Sequence, residues 1–182
     1  MKVCVDPGHG MSNRSSGVFD PGAVHNENGT LFREADIALR YGLTLKDVLR
    51  ARGVEVFMTR DDNDDVAPVG ERANAARNAN CSFFVSFHMN SVEDDDANGT
   101  ETLFRDEADR AFAQRIQNHL IGVLGLRDRG LKQRNDLAVL RFQGTAVLIE
   151  LGFIGNDRDR DRILQPQVRS AVCEAVADVI GN

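Results

Sequence analysis

The sequence has few cysteines and no excess of positive charge. Its 182 residues include three cysteines, Cys4, Cys81 and Cys173, which lie far apart and form no C-x-x-C pair. An odd number of widely spaced cysteines argues against a disulfide framework and against a thiolate zinc site, and is typical of small buried side chains. The net charge of -6 argues against a nucleic-acid partner, because a phosphate backbone selects for a basic surface.

Long apolar runs are also missing. No run approaches the roughly 20 residues that a membrane-spanning helix needs, so we expect no membrane partner. The opening residues MKVCV predict a strand, and they lack the basic stretch and apolar run of a signal peptide. Since we find no internal repeat and no linker, we expect one domain covering residues 1–182. We also expect the protein to be a monomer.

The spacing of the apolar residues predicts strands and helices that follow one another in turn along the chain. We predict strands at 2–5, 54–59, 82–87, 100–104, 137–141 and 146–149, and helices at 34–52, 68–80, 106–124, 157–164 and 166–180. Residues 10–33 show no clear periodicity and predict a long loop, a feature that often serves in binding. Several strands are apolar throughout, which is typical of a mostly parallel sheet covered on both faces. The sequence therefore predicts the α/β class.

Three charged runs are predicted to lie on the surface. The acidic runs at 61–65 and 93–96 lack the spacing and the distal glutamate of a calcium-binding loop. We interpret both as solvated loops. The run DRDRDR at 157–162 alternates in sign at the start of a helix and predicts an exposed, salt-bridged face.

Four polar residues fall at one edge of the predicted sheet. His9 follows the first strand within the stretch DPGHG, His88 follows SFFVSF, and Glu150 follows AVLI. Glu34 heads the apolar stripe of the first helix, where a carboxylate is costly to bury unless it is paired or bound to a cation. Because ligands of open α/β sheets bind beyond the carboxyl ends of the strands, we expect these side chains to converge.

Two histidines and two carboxylates suit a catalytic zinc site. Zinc commonly takes three protein ligands, such as two histidines and a glutamate, and the remaining carboxylate can then transfer protons. Each residue also has a structural interpretation: His9 as a loop histidine, His88 as a polar strand end, Glu34 as a first-turn helix acid and Glu150 as a salt-bridge partner. The spacing alone does not decide between these interpretations. DPGHG lacks both glycine-rich phosphate-binding patterns, which excludes that use of its glycines.

The motifs of the chain, taken in order, resemble the zinc-dependent N-acetylmuramoyl-L-alanine amidases of the amidase-3 type. They are DPGHG (6–10), DPGA (20–23), READIALR (33–40), RARGVEVFMTR (50–60), ERANAARNAN (71–80), SFHMNS (86–91), GTET (99–102), RGLK (129–132), LAVLR (137–141) and AVLIELGFIGN (146–156). One motif alone would carry little weight, but the ordered set is highly specific and covers essentially the whole chain.

The resemblance implies a single α/β domain with a central sheet of about six strands flanked by helices. It implies one Zn²⁺ ion held by His9, Glu34 and His88, with Glu150 as the catalytic glutamate. Asn90 matches the asparagine of SFHMNS, and both Asn90 and His25 of the long loop are candidate substrate contacts. The implied reaction is hydrolysis of the amide between N-acetylmuramic acid and L-alanine in peptidoglycan, the expected partner. A metal-dependent deacetylase of amino sugars and a non-catalytic peptidoglycan-binding module are the alternatives.

The chain departs from the family pattern after DPGHG. The segment MSNRSSGVF (11–19) separates DPGHG from DPGA, which usually lie close together in the family, and Met89 replaces a commoner small residue. The segment enlarges the loop near the expected metal. The implied place of action is the bacterial cell wall, outside the cytoplasm. Since no signal peptide is predicted, we expect release by a phage export system or an excised catalytic domain.

Overall fold

The structure is a computed structural model that describes residues 1–94 and 96–181. The strands are β1 Lys2–Pro7, β2 Gly10–Met11, β3 Phe19–Asp20, β4 Val24–Glu27, β5 Thr30–Arg33, β6 Glu55–Met58, β7 Phe83–Asn90, β8 Thr100–Phe104, β9 Asp128–Gln133 and β10 Thr145–Phe153. The α-helices are α1 Glu34–Ala51, α2 Arg72–Asn78, α3 Arg110–Leu124, α4 Asp157–Leu164 and α5 Pro166–Gly181. No helix in these two ranges is both long enough and apolar enough to cross a membrane.

Six strands form the central sheet, in the order β6-β1-β7-β10-β8-β9. Strands β6, β1, β7 and β10 run parallel to one another. Strand β8 runs antiparallel to β10, and β9 runs parallel to β8. The sheet is therefore mostly parallel, as predicted, and its four parallel strands end at one common edge.

Alternate residues of the central strands supply two hydrophobic cores. On β7, Val85 and Phe87 point into the larger core, which α1, α3 and α5 cover. The intervening Phe84 points to the opposite side, against α2 and a 3-10 turn at Val139–Arg141. Side chains of a strand alternate between faces, so an apolar run is what a sheet covered on both sides requires. The predicted coverage of both faces is confirmed.

The prediction of a strand at 137–141 was wrong. Residues Val139–Arg141 form the 3-10 turn, and the apolar signal there arises because Val139 and Leu140 pack against the sheet from outside it. The strand that completes the sheet is instead β9, Asp128–Gln133, which the sequence analysis did not predict. Its sequence DRGLKQ carries a single large apolar residue because it forms an edge of the sheet with little burial.

The long stretch 10–33 contains more regular structure than predicted. It folds into two short antiparallel pairs, β2 with β3 and β4 with β5. Two predicted helices also begin later than expected, since α2 starts at Arg72 and α3 at Arg110. The residues before α3 form a 3-10 turn at Glu107–Asp109.

The charged runs have different outcomes. In the run 157–162, Asp159 and Arg160 are buried, so the prediction of an exposed face was wrong. The Asp159 carboxylate accepts hydrogen bonds from the backbone of Gly99 and Phe153, at 2.7 and 3.1 Å, which is why burial is tolerated. The run 61–65 forms a loop with exposed Asp61 and Asp62, as predicted. The run 93–96 includes residue 95, which lies outside the described residues.

Candidate active site

Three polar side chains meet at the carboxyl edge of the parallel strands. His9 lies just after β1, Glu34 is the first residue of α1, and His88 lies on β7. Their potential ligand atoms all lie within 4.8 Å of one another. Strands β1 and β7 are parallel neighbours, so the sheet itself brings His9 and His88 to the same edge. The expected convergence of these three residues is present in the structure.

The Glu34 carboxylate is the centre of this group. Its Oε1 lies 3.0 Å from His9 Nε2 and 2.8 Å from His88 Nδ1. The backbone N–H groups of Met89 and Ala23 donate to Oε1 and Oε2, at 3.0 and 2.8 Å. Burial alone would raise the pKa of Glu34, but its hydrogen bonds with His88 and His9 outweigh burial and hold the pKa well below its ordinary range. Glu34 is therefore a buried carboxylate kept in its charged form.

Asp20 orients the His9 ring. His9 Nδ1 lies 3.0 Å from Asp20 Oδ2, which leaves Nε2 directed at Glu34. Asn13 and the backbone of Gly22 also donate to Asp20, at 2.6 and 2.9 Å. Burial raises the pKa of Asp20, but the hydrogen bonds with His9 and Asn13 lower it more strongly, to about 2. A carboxylate behind a metal-binding histidine commonly fixes the ring in this way.

Arg72 holds the backbone of the His9 loop, a role that the sequence analysis did not identify. This buried residue of α2 donates to the carbonyl oxygens of Pro7 and His9, at 2.9 and 2.6 Å. It also forms a buried ion pair with Asp6, at 2.8 Å. His9 adopts a left-handed backbone conformation, with φ at 62°, which is unusual for a residue other than glycine. The bond from Arg72 to the His9 carbonyl stabilises that conformation.

Arg60 connects the segments that carry His9 and Glu34. Its Nη2 donates to the carbonyl oxygens of Gly8 at 2.8 Å and Ala35 at 2.7 Å. One nitrogen atom thus joins the residue before His9 to the residue after Glu34. An arginine just after a strand usually indicates an exposed strand end, so the buried position of Arg60 was not expected. Its place in the motif RARGVEVFMTR was the one sequence feature that could have indicated a role.

Glu150 lies on β10 beside His88. The two residues are register partners on adjacent parallel strands, and both lie within their strands, where the sequence analysis expected them just after the strand ends. Glu150 Oε2 is inaccessible to solvent and has no hydrogen-bond partner among the described residues. Burial, together with the negative charges of Glu34 and Glu101, raises the pKa of Glu150 well above its ordinary value. A carboxyl group with a raised pKa is suited to binding and releasing a proton during catalysis.

Asn90 is held by a second carboxylate, Glu101, which the sequence analysis did not single out. Asn90 Nδ2 donates to Glu101 Oε1 at 3.0 Å, and Arg129 Nε donates to Glu101 Oε2 at 2.9 Å. The Arg129 guanidinium also stacks on the ring of Phe153, 4.8 Å from its centre. Glu101 therefore fixes the side chain of Asn90, which lies two residues after His88 on β7.

Five of the candidate residues line one cleft, which we call the main cleft. It has a volume of about 470 Å³, and its walls include His9, Glu34, His88, Asn90, Arg134 and Glu150. His25 is not among its lining residues; it lies on β4, where it pairs in register with Phe32. The structure therefore brings together five of the six candidate residues, and it places His25 outside the main cleft.

The donor set at the bottom of the main cleft fits a zinc ion. Two imidazole nitrogens and one carboxylate oxygen form the combination found in catalytic zinc sites, whose remaining position accepts water. Neutral imidazole suits zinc, and one carboxylate limits the positive charge of the occupied site. The orienting carboxylate of Asp20 adds the supporting contact that such a ligand histidine commonly has. His9, Glu34 and His88 could thus hold the ion.

Comparison with known proteins gives a consistent match. The family Amidase_3, described as N-acetylmuramoyl-L-alanine amidase, matches residues 3–182. The catalytic domain of CwlV, an N-acetylmuramoyl-L-alanine amidase from Bacillus (Paenibacillus) polymyxa var. colistinus, superposes with a TM-score of 0.86 at 29% identity, covering 98% of this chain and 95% of that one.

Two curated relatives come from Bacillus subtilis (strain 168). The uncharacterized protein YqiI is 34% identical over 99% of this chain and 83% of its own length. The N-acetylmuramoyl-L-alanine amidase LytC is 30% identical over 97% of this chain, but the chain spans only 34% of the length of LytC.

Proposed function

Since the chain belongs to the N-acetylmuramoyl-L-alanine amidase family, we propose that it uses zinc to hydrolyse the amide between N-acetylmuramic acid and L-alanine in peptidoglycan. In this proposal His9, Glu34 and His88 hold the ion, and residues 1–182 constitute the catalytic domain. The place of action is the bacterial cell wall. One observation carries the proposal: on the strand next to His88, Glu150 has a carboxyl oxygen that no group in residues 1–94 and 96–181 hydrogen-bonds.

The ion and the protein contribute different parts of the chemistry. When bound, zinc supplies Lewis-acid activation of the water and of the scissile carbonyl. The protein supplies the ligands, the orientation of His9 through Asp20, and a proton carrier. The buried position of Glu34 keeps its carboxylate in a fixed orientation, because four hydrogen-bonding groups surround its two oxygens.

Glu150 moves the proton. Its carboxylate accepts a proton from the attacking water, and the water oxygen forms a bond to the amide carbon. Glu150 then donates the same proton to the departing alanine nitrogen as the C–N bond breaks. The products are a free muramoyl carboxyl group and a stem peptide with a new amino terminus. A carboxyl group whose pKa is raised by burial suits both halves of this transfer.

Asn90 is the proposed substrate contact beside the reacting bond. It lines the main cleft together with Glu150, and Glu101 fixes its side chain there. Its amide is therefore presented to the substrate in one orientation, which reduces the entropy lost on binding. His25 stays a prediction from sequence and has no part in this proposal.

The proposal is tested by digesting purified peptidoglycan and identifying the products by mass. We expect stem peptides with free alanine amino termini, no cleavage in the presence of a chelator, and recovery on addition of Zn²⁺. Glu150→Gln should bind zinc and peptidoglycan but release peptide at least about 10²-fold more slowly, whereas Glu107→Gln, a change at an exposed glutamate, should behave as wild type.

Other outcomes identify the alternatives. Release of acetate in place of stem peptide would indicate a deacetylase of amino sugars. Binding to peptidoglycan with no product from the zinc-loaded wild type would indicate a binding module. Cleavage that is insensitive to the chelator would contradict the role of zinc.

A further inference from the structure

A second cavity adjoins the main cleft, and we call it the side cavity. It has a volume of about 300 Å³ and is lined by Asn13, Arg14, Val69, Leu137, Ala138 and Val139, among others. The main cleft and the side cavity share the residues His9, Arg14, His88, Leu137 and Leu148. The two candidate histidine ligands therefore stand at the boundary between the two spaces, and a substrate at the metal can extend into both.

Glu150 distinguishes the two spaces. It lines the main cleft but not the side cavity. If Glu150 protonates the departing nitrogen, as in the proposed function, the amine half of the substrate must lie beside Glu150. The acyl half extends from the carbonyl carbon in the other direction, past the two histidines. The chemistry of the reaction therefore gives the substrate a direction across the site.

We propose that the side cavity binds the acyl half of the substrate, the N-acetylmuramoyl sugar with its lactyl group, while the stem peptide lies in the main cleft. This inference rests on the proposed function, because the role of Glu150 sets the direction.

The lining of each space matches the half of the substrate that we assign to it. The walls of the side cavity combine apolar Val69, Leu137 and Ala138 with polar and charged side chains, those of Asp6, Asn13, Arg14, Arg72 and Asp136. A pyranose ring with an N-acetyl group presents apolar faces and a methyl group, bordered by hydroxyls, and so fits such walls. A volume of about 300 Å³ is at the lower end of small-molecule sites, which suits one sugar unit.

The main cleft is the more polar of the two spaces, as the amide groups of a stem peptide require, and its lining also includes the acids Asp20, Glu34 and Glu150. Asn90, Ser91 and Arg134 lie on its walls, and Arg14 stands where the two spaces meet. Arginine is the side chain that best matches a carboxylate, since its planar guanidinium can donate two parallel hydrogen bonds.

The 11–19 segment builds one wall of the side cavity. The backbone oxygen of Asn13 accepts a hydrogen bond from Val69 N at 2.9 Å, and that of Met11 accepts one from Ala67 N at 3.1 Å. The Asn13 side chain accepts from Arg72 at 3.0 Å and donates to Asp20 at 2.6 Å. The segment is therefore fastened both to the loop that carries Val69 and to the candidate metal site. The 11–19 segment thus helps to form the proposed sugar subsite.

The first test compares two substrates in three proteins. One substrate is N-acetylmuramoyl-L-alanyl-D-isoglutamine, and the other is the same dipeptide carrying only a D-lactoyl group. Val69→Trp fills the side cavity and should raise KM for the sugar-bearing substrate about tenfold or more, leaving the sugar-free substrate within about twofold of wild type. Val66→Trp is the matched control, because Val66 is exposed and lines neither space. It should leave both substrates unaffected.

The second test measures binding without turnover. N-acetylmuramic acid is titrated into the ¹⁵N-labelled zinc-loaded protein, and so, separately, is the free dipeptide. We expect the sugar to shift the amide signals of Asn13, Val69 and Ala138, and the dipeptide to shift those of Asn90 and Ser91.

The outcomes separate the subsite from the proposed function. Equal effects of Val69→Trp on both substrates, or sugar-induced shifts confined to Asn90 and Ser91, would overturn the subsite while the amidase activity stands. Absence of hydrolysis by the wild type would overturn the proposed function, and the titration would still decide where the sugar binds.

Discussion

Glu150 on β10 and Glu101 on β8 are register partners on adjacent antiparallel strands, yet only Glu101 has partners for both its carboxylate oxygens. Asn90 and Arg129 donate to Glu101, whereas Glu150 Oε2 has no partner among the described residues. A buried polar group without a partner costs about 1–3 kcal/mol of stability. Of these two paired carboxylates, Glu101 thus has hydrogen bonds that offset the cost of its burial, and Glu150 does not.

We expect Glu150→Gln to reduce activity and to stabilise the metal-free protein at neutral pH. Loss of the proton carrier should lower kcat by about 10²- to 10⁴-fold. The raised pKa means that the folded protein holds the Glu150 proton more tightly than the unfolded chain does. Its stabilising contribution is therefore complete below the ordinary value of 4.5 and is lost as the pH rises toward the folded-state pKa. The neutral amide of glutamine does not ionise and avoids this loss.

The measurement is thermal unfolding in chelator from pH 4 to pH 8, at roughly unit intervals. A gain of about 1 kcal/mol would raise Tm by about 2–4 °C for a protein of this size. The gain should appear near neutral pH and disappear in acid. If the Tm of Glu150→Gln equals that of wild type at every pH, the buried carboxylate of Glu150 does not destabilise the folded protein.

The meeting of His9, Glu34 and His88 could be predicted from sequence because each position carries a local signal. His9 and His88 follow apolar strand residues, and parallel strands end at one edge of a sheet. Glu34 continues the apolar stripe of α1 by one turn, so its side chain had to point inward.

The supporting residues could not be predicted in the same way. Arg60 and Arg72 are buried because their partners are backbone carbonyls and Asp6, which come from distant segments. Charge pattern alone places an arginine on the surface, as it wrongly did for Arg160. The edge strand β9 was missed for the opposite reason, since its limited burial leaves almost no hydrophobic pattern to detect.

Removal of Asp20 should weaken zinc binding without removing a ligand. Asp20→Ala takes away the partner of His9 Nδ1, so the ring is free to rotate away from Glu34. Loss of such a supporting contact typically costs 10- to 100-fold in metal affinity, and we expect a decrease of about that size. Competition with a chromophoric chelator measures it. The exposed Asp106 provides the control, since Asp106→Ala should bind zinc as wild type does. Unchanged affinity in Asp20→Ala would contradict the orienting role.

The buried pair Asp6–Arg72 should contribute far more to stability than the exposed pair Arg134–Asp136. Arg72→Met leaves the Asp6 carboxylate buried and unpaired, which should cost about 3–5 kcal/mol. Arg134→Met breaks a pair of similar length at the surface and should cost at most about 1 kcal/mol. Urea unfolding at pH 7 measures both. An equal loss of unfolding free energy in the two variants would show that burial does not set how much an ion pair contributes to stability here.

The same pair gives a pH dependence of defined sign. Burial alone would raise the pKa of Asp6, but Arg72 and the hydroxyls of Ser86 and Thr59 outweigh burial and lower it. The stabilising contribution of Asp6 is therefore present above its ordinary pKa of 3.8 and is lost as the pH falls through the folded-state value. The stability difference between wild type and Asp6→Asn should accordingly narrow in acid.

Gly8, the first glycine of DPGHG, should tolerate no side chain, because the ring of His88 lies where its Cβ would be. That Cβ would stand 2.3 Å from His88 Cε1 and 2.4 Å from Nε2. The backbone of Gly8 cannot easily move away, since its N–H donates to Phe87 at 3.0 Å and its carbonyl accepts from Arg60 at 2.8 Å. In Gly8→Ala the His88 ring must therefore turn away from Glu34.

We expect Gly8→Ala to lose zinc affinity by about tenfold or more, comparable to the loss of an orienting contact. Gly70→Ala is the matched control, since a Cβ at Gly70 would meet no atom of the described part of the chain within 4 Å. Chelator competition gives the affinity, and ¹H–¹⁵N spectra of the imidazole nitrogens report whether the His88 ring has changed its environment. If Gly8→Ala binds zinc as tightly as Gly70→Ala does, His88 can act as a ligand from another position. Gly8 would then be required only for the backbone turn, and not for the close approach of the His88 ring.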